Sequence, residues 1–395
     1  MNHREKMKIG LVLANPPGYS ETFFRSKIKG LQKNGFEITL FCRGGENTFE
    51  LCPVKFASKV HRNPLIQLFY FAKEYFSLIP HLGRLKRYVK LERKEGTSLG
   101  EIAKKIYLNA HLLKSDVDWL HFGFSTLALG SETVAKAINA RMAVSFRGFD
   151  IAVYPVKNPG CYTKLWKYVD KVHTISEGLV KLAIPHGFST LIPVEKITPA
   201  VDIKLFTSTI HISNKNTVTF LTVGRLHWIK NYIQIIEALA ILKSRNIDFI
   251  YTIIGSGQLY RRIAFTVYKL GLSNHIRFLG NLSHEEVKSH MEFSDIYIQY
   301  SYQEGFCNAV LEAQAMGKLC VVSNAEGLSE NVLHKQTGWV VPKNNPELLA
   351  DRLQKVIQLN SSEKEDIAAR AVERVRREFN LEKQEREFVA FYSDI

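Results

Sequence analysis

Residues 304–312 read Glu304-Gly305-Phe306-Cys307-Asn308-Ala309-Val310-Leu311-Glu312. An apolar run that ends near Tyr300 precedes them, and strong helix formers follow. This order predicts a strand, a short loop and the start of a helix, with Asn308 as the N-cap. A helix start presents free backbone N–H groups and the positive end of its dipole. Glu304 and Glu312 at such a place suit the binding of hydroxyl-rich groups, because a carboxylate accepts several hydrogen bonds.

The alternation of strands and helices extends over both halves of the chain. In the first half, the predicted strands are Lys8–Ala14, Glu37–Cys42, Asp118–Phe122, Arg141–Phe146 and Lys171–Ile175. In the second half, they are Val218–Val223, Asp248–Ile254, Ile276–Leu279, Ile296–Tyr300 and Leu319–Val322. Helical patterns separate them, such as the amphipathic residues 22–34 that end at Gly35. Strands separated by helices predict an α/β fold with parallel sheets and right-handed crossovers.

Two such sets on one chain predict two Rossmann-like domains that face each other across a cleft. A length of 395 residues suits two domains of ordinary size. We place the first domain at residues 1–205 and the second at 206–375, because the stretch 204–216 is polar and rich in Ser, Thr and Asn. A charged helical segment at 376–395 ends the chain. Parallel sheets bind ligands beyond the carboxyl ends of their strands.

Several further motifs stand at such strand ends. They are Val223-Gly224-Arg225-Leu226 with Lys230-Asn231, Gly255-Ser256-Gly257, Pro199-Ala200-Val201-Asp202, and Gly338-Trp339-Val340-Val341-Pro342. With Glu304 and Glu312 in the spacing Glu-x7-Glu, they resemble the retaining glycosyltransferases of the GT-B fold, in the large group 1 (GT4-like) family. Near the N-terminus, Ser20-Glu21-Thr22-Phe23 resembles a segment of family members that build exopolysaccharides and other bacterial surface glycans. The resemblance covers nearly the whole chain.

The resemblance implies an enzyme that moves a hexosyl unit from a nucleotide-diphosphate sugar, with a UDP-sugar favoured, to a glycan or lipid-linked acceptor in surface polysaccharide biosynthesis. It implies retention of configuration and no metal or cofactor. Glu304 would lie beside the donor sugar, and Glu312 would hold the ribose hydroxyls. Arg225 and Lys230 would stabilise the departing pyrophosphate, for which fixed cations can replace a divalent metal. The other candidate donor-binding residues are Gly305, Phe306, Cys307, Asn308, Gly255, Gly257 and Gly18. In the resembled fold the last helix crosses back onto the first domain.

Alternatives stay open for several residues of this set. Gly18 and the Gly255-Ser256-Gly257 turn could serve only as turn glycines. His121 could line the cleft or be a satisfied buried histidine. The segment 144–150 matches a family loop that usually carries His before Gly, but this chain has Arg147, which cannot act as a base. Arg147, Asp150 and Glu21 complete the candidates for the cleft and the acceptor.

The sequence argues against metal, disulfide and hydrolase sites. Asp116-Val117-Asp118 is an Asp-x-Asp pair, but it stands at a common loop-to-strand entry. The five cysteines are odd in number and form no Cys-x-x-Cys pair, which predicts reduced thiols. Eight residues of helix span about 12 Å, whereas the carboxylates of hydrolases lie about 5–9.5 Å apart. The segment from Gly10 to Gly18 lacks the Gly-x-Gly-x-x-Gly turn of a dinucleotide-binding oxidoreductase.

The net charge of +15 lies almost wholly in the first half of the chain. Residues 1–200 carry 30 Lys and Arg against 16 Asp and Glu, and residues 201–395 carry 23 against 22. Arg84, Lys86, Arg87 and Lys90 stand near the aromatic stretch 68–76 and predict binding to an anionic membrane surface. The alternative is a solvated face over a helix whose aromatics are core. No nucleic-acid-binding motif is present in the sequence.

The sequence predicts a cytoplasmic protein that lies peripherally on the inner face of the membrane. It has no apolar run of about 18 residues, and the first strand is too short for a signal-peptide core. Two other functions remain possible from sequence: a nucleotide-sugar epimerase or phosphorylase of GT-B architecture, and a non-catalytic nucleotide-sugar binding module. Intact Glu304, Glu312, Arg225 and Lys230 argue against the non-catalytic module.

Overall fold

The structure is a computed structural model, and it describes residues 6–18, 22–46, 49–207 and 217–393. The chain divides into two compact units. The first comprises Met1–Ile175, Leu179–Ile197 and Glu385–Ile395, and the second comprises Ser176–Gly178 and Thr198–Gln384. The main boundary between the units therefore lies between Ile197 and Thr198, whereas the sequence pattern placed it at 205–206. Of the predicted linker, residues 208–216 lie outside the described part of the chain.

Each unit contains one parallel β-sheet. The strands of the first sheet are β1 (Lys8–Leu13), β2 (Glu37–Cys42), β3 (Val54–Phe56), β4 (Trp119–Phe122), β5 (Arg141–Phe146), β6 (Lys171–Thr174) and β7 (Val194–Lys196). Those of the second are β8 (Val218–Val223), β9 (Phe249–Ile254), β10 (Ile276–Gly280), β11 (Ile296–Gln299), β12 (Leu319–Ser323) and β13 (Trp339–Val341). The strand orders are β3-β2-β1-β4-β5-β6-β7 and β10-β9-β8-β11-β12-β13. Every strand pair in them is parallel.

Helices connect these strands. In the first half they are α1 (Thr22–Lys33), α2 (Pro64–Ser77), α3 (Leu82–Lys94), α4 (Leu99–Leu113), α5 (Val134–Ala137), α6 (Phe149–Ala152), α7 (Tyr154–Lys157), α8 (Leu165–Tyr168) and α9 (Glu177–Ala183). In the second half they are α10 (Tyr232–Ser244), α11 (Tyr260–Lys269), α12 (His284–Glu292), α13 (Asn308–Ala315), α14 (Leu328–Asn331), α15 (Pro346–Ile357), α16 (Ser361–Glu378) and α17 (Leu381–Ser393). Short 3₁₀ turns cover Ile79–His81, Ser125–Ala128, Ile184–His186 and Trp228–Lys230.

Local sequence signals explain where several helices begin and end. Gly35 follows α1 with a φ of 85°, and its N–H donates to Gln32 O, as expected for a glycine that ends a helix. Asn63 caps α2 by accepting hydrogen bonds from the N–H groups of Leu65 and Ile66. Asn360 and Glu363 form a capping box at the start of α16.

The predicted α/β class and all ten predicted strands are confirmed, with end points that differ by at most one residue. Three strands were missed: β3, β7 and β13. Each has three residues and lies at a sheet edge, so it carries too short an apolar pattern to stand out in sequence. Of the charged helical segment predicted at 376–395, residues 376–378 form the end of α16 and Leu381–Ser393 form α17. Between these two helices, Asn380 pairs with Val201 in an isolated β-bridge.

The sheet of the first unit buries a continuous apolar core that includes part of the last helix. Phe388, Phe391 and Tyr392 of α17 are buried beside Trp119 of β4 and Ile28 of α1. The Phe391 and Trp119 ring centroids lie 6.0 Å apart. The second unit has its own core, built around Phe220, Ile253 and Ile298 from its central strands. Buried strands of this kind suit parallel sheets, whose two faces are both covered by helices.

Candidate active site

The loop after β8 carries the two predicted cations. Gly224 donates its N–H to Ile254 O at 2.9 Å, and Leu226 donates its N–H to Ser256 O at 2.9 Å. These bonds fix the loop on both sides of Arg225, whose side chain is exposed. Lys230 ends the 3₁₀ turn, and Asn231 then adopts a left-handed φ of 55° before α10 begins. The loop therefore presents one exposed cation and one half-buried cation at the carboxyl end of β8.

Gly255 and Gly257 are explained by the same loop. A Cβ on Gly255, whose φ is 136°, would lie 2.1 Å from Gly224 O. A Cβ on Gly257 would lie 2.5 Å from Leu226 O. Both glycines are required because protein backbone approaches them closely. They thus support the cation loop, and a direct approach to a ligand is not needed to account for them.

Lys230 and Glu304 form an ion pair at the carboxyl ends of β8 and β11. Lys230 Nζ lies 2.5 Å from Glu304 Oε2, and each side chain is 15% exposed. Ser301 Oγ donates to the same carboxylate oxygen at 3.1 Å. Burial lowers the pKa of Lys230, but attraction to the Glu304 carboxylate outweighs it and leaves the pKa above its ordinary value. Lys230 is therefore a cation at neutral pH, and Glu304, which also accepts from Ser301, holds its ammonium group in place.

Glu326 is a member of the site that sequence reasoning missed. Its carboxylate accepts the Glu304 N–H at 3.2 Å, and Gly327 donates its N–H to Glu304 O at 2.8 Å. A Cβ on Gly327 would lie 1.9 Å from Gly305 O, so the loops after β11 and β12 are in tight contact. The available signal was an acidic residue shortly after a predicted strand, in the position where parallel sheets collect ligand-binding residues.

The start of α13 differs in one respect from expectation. Asn308 is the first residue of the helix, and Cys307 occupies the N-cap position without a side-chain hydrogen bond, so the prediction of Asn308 as the cap is wrong. Cys307 donates its N–H to Asn331 Oδ1 at 2.9 Å, so that N–H is already bonded within the protein. The Phe306 ring lies 5.6 Å from the Phe379 ring. Phe306 and Cys307 hold the helix start in place from within the second unit.

Glu312 is a half-buried carboxyl in the second turn of α13. Burial raises its pKa from 4.5 to about 7. Within the described residues, no hydrogen bond to this carboxylate offsets the cost of its burial. A perturbed acid of this kind is a frequent mark of a functional site. It could accept hydrogen bonds from a ligand that replaces the missing donors.

The charged residues at the ends of these strands are close enough to interact electrostatically, so they belong to one site. Arg225 lowers and Glu304 raises the pKa of Lys230. Burial raises the pKa of the Cys307 thiol to about 12, and the charges of Lys230, Glu304 and Glu312 all act on it. Two cations, two carboxyl groups and the start of α13 therefore meet at one edge of the second sheet. Such an arrangement can hold an anionic group beside a hydroxyl-rich one.

His121 lies inside the first unit, so its prediction as a cleft residue is wrong. It is 0% exposed. Its Nδ1 lies 2.6 Å from Tyr392 Oη and its Nε2 lies 2.8 Å from Ser145 Oγ. Burial and the nearby Lys27 hold the pKa of His121 well below its ordinary value. The alternative of a satisfied buried histidine is confirmed, since both ring nitrogens have partners inside the core.

Asp150 is also structural rather than available to an acceptor. It is fully buried, and its carboxylate accepts the N–H groups of Ser125, Arg147 and Gly148 at 2.9–3.1 Å. Burial raises its pKa, and these hydrogen bonds oppose that rise. The prediction of Asp150 as an acceptor contact is therefore wrong. Arg147 places its guanidinium 3.9 Å from the centroid of the Phe23 ring, so it packs on an aromatic side chain of α1.

The remaining candidates of the first unit have different positions. Gly18 is exposed after β1, and Glu21 lies outside the described residues. Asp116 forms an ion pair with Lys8 at 2.9 Å, and the Asp118 carboxylate accepts the Lys8 N–H at 2.7 Å. The Asp-x-Asp pair thus fastens the entry to β4, as its loop-to-strand position indicated.

All five cysteines are free thiols, and four of them are buried. Among the described residues, no group of three or more His, Cys, Asp or Glu side chains is arranged to hold a metal ion. No helix in the described part of the chain has the length and apolar character needed to cross a membrane.

Residues 206–374 match the protein family described as "Glycosyl transferases group 1". The matched span includes Arg225, Lys230, Glu304 and Glu312, and nearly all of the second unit. The chain contains a group 1 glycosyl transferase domain. The recognition made from the Glu-x7-Glu spacing is thereby confirmed, and the candidate site lies wholly within the group 1 domain.

Relatives extend the similarity over the whole chain. WcaL of Escherichia coli K12, named as a colanic acid biosynthesis glycosyltransferase, is 26% identical over 97% of this chain and 99% of its own length. An E. coli enzyme named UDP-Gal:alpha-D-GlcNAc-diphosphoundecaprenol alpha-1,3-galactosyltransferase is 27% identical over 44% of each chain. The crystal structure of Anabaena HepE in complex with UDP and glucose superimposes with a TM-score of 0.72 at 17% identity, over 98% of this chain and 100% of that one. The group 1 domain thus belongs to a glycosyltransferase with GT-B structural neighbours, as predicted.

Proposed function

We propose that the protein is a retaining hexosyltransferase that takes its sugar from a nucleotide diphosphate and adds it to a glycan or lipid-linked glycan acceptor in surface polysaccharide biosynthesis. The observation that carries the proposal is the fixed Lys230–Glu304 ion pair, with Arg225 at the same strand end and Glu312 in the adjacent helix. The relatives named for colanic acid biosynthesis and for galactosyl transfer to a diphosphoundecaprenol-linked sugar support the acceptor class.

The proposed step breaks one bond at the anomeric carbon and forms another. The bond from the anomeric carbon to the β-phosphate oxygen breaks, and the acceptor hydroxyl oxygen bonds to the same carbon. The hydroxyl proton moves to the departing phosphate oxygen, and nucleoside diphosphate is released. Negative charge grows on that phosphate oxygen in the transition state, where Lys230 and Arg225 stabilise it.

Each carboxyl group has a separate part in this proposal. Glu304 orients the Lys230 ammonium and lies beside the donor sugar. Glu312 accepts hydrogen bonds from the ribose hydroxyls, which supply the donors that its half-buried carboxylate lacks. A uridine nucleotide is the first donor to test, because HepE was crystallised with UDP.

We further propose that the reaction needs no divalent metal. Arg225 and Lys230, two cations at one strand end, can supply the charge that a metal supplies to a departing pyrophosphate in other enzymes. Arg225 offers a planar fork to phosphate oxygens, and Lys230 offers a point charge. Activity should therefore persist after treatment with a chelator.

The test is a purified transferase assay with a panel of UDP-hexoses and a lipid-linked or short-chain glycan acceptor. Nucleoside diphosphate should appear only when donor and acceptor are both present. Release without an acceptor would favour a hydrolase, and donor isomerisation without release would favour an epimerase. Sugar binding without turnover for any donor–acceptor pair would favour the non-catalytic module.

Arg225→Gln is the sharpest variant for the leaving-group role, because Arg225 is exposed and its loss unpairs no buried group. Removal of one preorganised charge costs about 3–4 kcal/mol in comparable sites, or a factor of about 10²–10³ in kcat. Lys269→Gln, which removes an exposed cation at the end of α11, serves as the matched control and should keep full activity. Equal kcat values for wild type and Arg225→Gln would refute the role.

A further inference from the structure

Helix α2 exposes a stripe of large apolar side chains along its outer side. Leu65, Leu68, Phe69 and Phe76 are each between 66% and 76% exposed. Their spacing of i, i+3, i+4 and i+11 places them on one side of a helix. All fourteen residues of α2 are described, and none is buried. We call these four residues the α2 apolar stripe. Ile79 and Leu82, each about half exposed, extend it toward α3.

The opposite side of α2 is packed, so the stripe is a second apolar face. Phe71 stacks on Tyr75 at 4.8 Å and on Tyr107 of α4 at 5.2 Å. Tyr75 Oη donates to Ala103 O at 3.0 Å. Aromatic packing and this hydrogen bond fasten α2 to α4. The stripe is thus held outward on an attached helix, and it is too continuous to be scattered surface residues.

The segment of the chain that carries the stripe is basic. Residues 55–94 contain ten Lys and Arg but only two acidic residues, Glu74 and Glu92. Both acids are neutralised by lysines from outside the segment: Glu74 pairs with Lys114 at 2.9 Å, and Glu92 pairs with Lys105 and Lys164. An apolar stripe within a basic segment whose acids are already paired is complementary to an anionic bilayer surface.

The basic cluster predicted from sequence needs one correction. Arg84 donates to Leu113 O and Ser115 O and approaches Asp116 at 3.6 Å. Arg87 Nε donates to Ala137 O at 2.8 Å. Both arginines thus bind backbone carbonyl groups of the first unit, although Arg87 is exposed, as are Lys86 and Lys90. Changing all four residues would disturb structure as well as charge.

We propose that the α2 apolar stripe inserts into the interface of an anionic lipid bilayer, with the exposed lysines around it binding lipid headgroups. The inference deepens the proposed function, since it explains how the enzyme would reach a lipid-linked acceptor and rests on that function for the acceptor alone. A helix of fourteen residues is about 21 Å long and lies in the plane of the interface. Salt weakens the electrostatic attraction between the lysines and the anionic lipids. Insertion of the stripe adds a hydrophobic contribution to binding that salt does not screen.

The test uses the whole chain and sedimentation with vesicles of phosphatidylglycerol and phosphatidylcholine, at low and at high salt. Phe69→Ser with Phe76→Ser should lower the partition coefficient by about 10- to 100-fold, because two large apolar side chains no longer leave water. The matched control is Phe265→Ser with Tyr268→Ser on α11, because Phe265 is 64% exposed and Tyr268 is 75% exposed. That control should bind like wild type. Lys86→Ser with Lys90→Ser should weaken binding only at low salt.

A second measurement reports insertion directly. After subtraction of the wild-type signal, the tryptophan fluorescence of Phe69→Trp should be quenched by lipids brominated on their acyl chains. The fluorescence of Phe265→Trp should not be quenched. Equal binding of wild type and the α2 double variant would overturn the proposal, as would the absence of bromine quenching at position 69. Loss of a homodimer in the α2 variant, without vesicle binding by wild type, would instead assign the stripe to a second copy of this chain. No sugar is present in these assays, so their failure is distinct from failure of the transferase.

Discussion

The substitution Glu312→Gln should make the protein without ligand more stable at neutral and alkaline pH. Glu312 is half-buried in α13, and burial raises its pKa from 4.5 to about 7. Its ionised form is therefore penalised in the folded state, where no described residue donates a hydrogen bond to it. Gln has nearly the same shape but carries no charge, so it removes the penalty and keeps the packing.

The pKa values set both the sign and the size of the effect. The folded-state pKa exceeds the unfolded one, so the folded protein binds more protons between pH 4.5 and 7, and its stability falls as pH rises through that window. The penalty is absent below pH 4.5 and complete above pH 7. A difference of about 2.5 pH units corresponds to about 3 kcal/mol at most, at 1.36 kcal/mol per unit, and residual solvent contact lowers it. For a unit of this size, 1 kcal/mol shifts Tm by about 2–4 °C.

The assay is thermal unfolding of wild type and Glu312→Gln at pH 5, 6, 7 and 8. The difference in Tm should be small at pH 5 and should grow in favour of Glu312→Gln up to pH 7 and beyond. Glu365→Gln, an exposed glutamate of α16, is the matched control and should show no such growth. A Tm difference that does not change with pH, or that favours wild type at pH 8, would refute the argument from burial.

The same residue should report the donor. If ribose hydroxyls bind ionised Glu312, a nucleoside diphosphate must displace its proton below pH 7, and affinity should rise with pH until about pH 7. Glu312→Gln should flatten this dependence and weaken binding at pH 8, although the variant is the more stable protein. Stability and affinity that change in opposite directions are expected where a site is strained to serve its ligand.

Three further outcomes are expected. Lys230→Gln and Glu304→Gln should each lower kcat by a factor of about 10²–10³, while a nucleoside diphosphate still binds. Single-turnover kinetics would measure the chemical step, and calorimetry would measure binding. A wild-type kcat in either variant would contradict the role of the ion pair. Transferase activity should survive a chelator, and loss that manganese or magnesium restores would disprove metal independence. Gly255→Ala should destabilise the protein by about 1–3 kcal/mol, because a Cβ there would lie 2.1 Å from Gly224 O. Thermal unfolding measures this, and the control is Gly100→Ala, since Gly100 has open space around it.

Almost all of the candidate site in the second unit could be predicted from the sequence. Arg225, Lys230, Glu304 and Glu312 all follow predicted strands, and parallel strands bring their carboxyl ends to one edge of a sheet whatever the details of packing. Spacing along a strand–loop–helix unit is local, so Glu-x7-Glu could be read from one segment. Glu326 was missed because its contact with the Glu304 N–H joins two loops that are 22 residues apart.

The sequence was less informative wherever burial decided a residue's part. His121 and Asp150 look like ligand-binding residues in a linear pattern, yet both are enclosed by hydrogen bonds in the first unit. Arg84 and Lys86 are two residues apart and carry the same charge, yet the structure ties one to backbone carbonyl groups and leaves the other exposed.

By itself, the sequence determined the α/β alternation, the two parallel sheets and the family, because these depend on local periodicity and on motifs within single segments. Only the tertiary structure decided which polar residues are enclosed, and why Gly255 and Gly257 must be glycine. It also decided which face of α2 is left to solvent. Those outcomes depend on which distant segments come into contact. Phe71 and Tyr75 contact α4, whereas Phe69 and Phe76 on the same helix stay exposed.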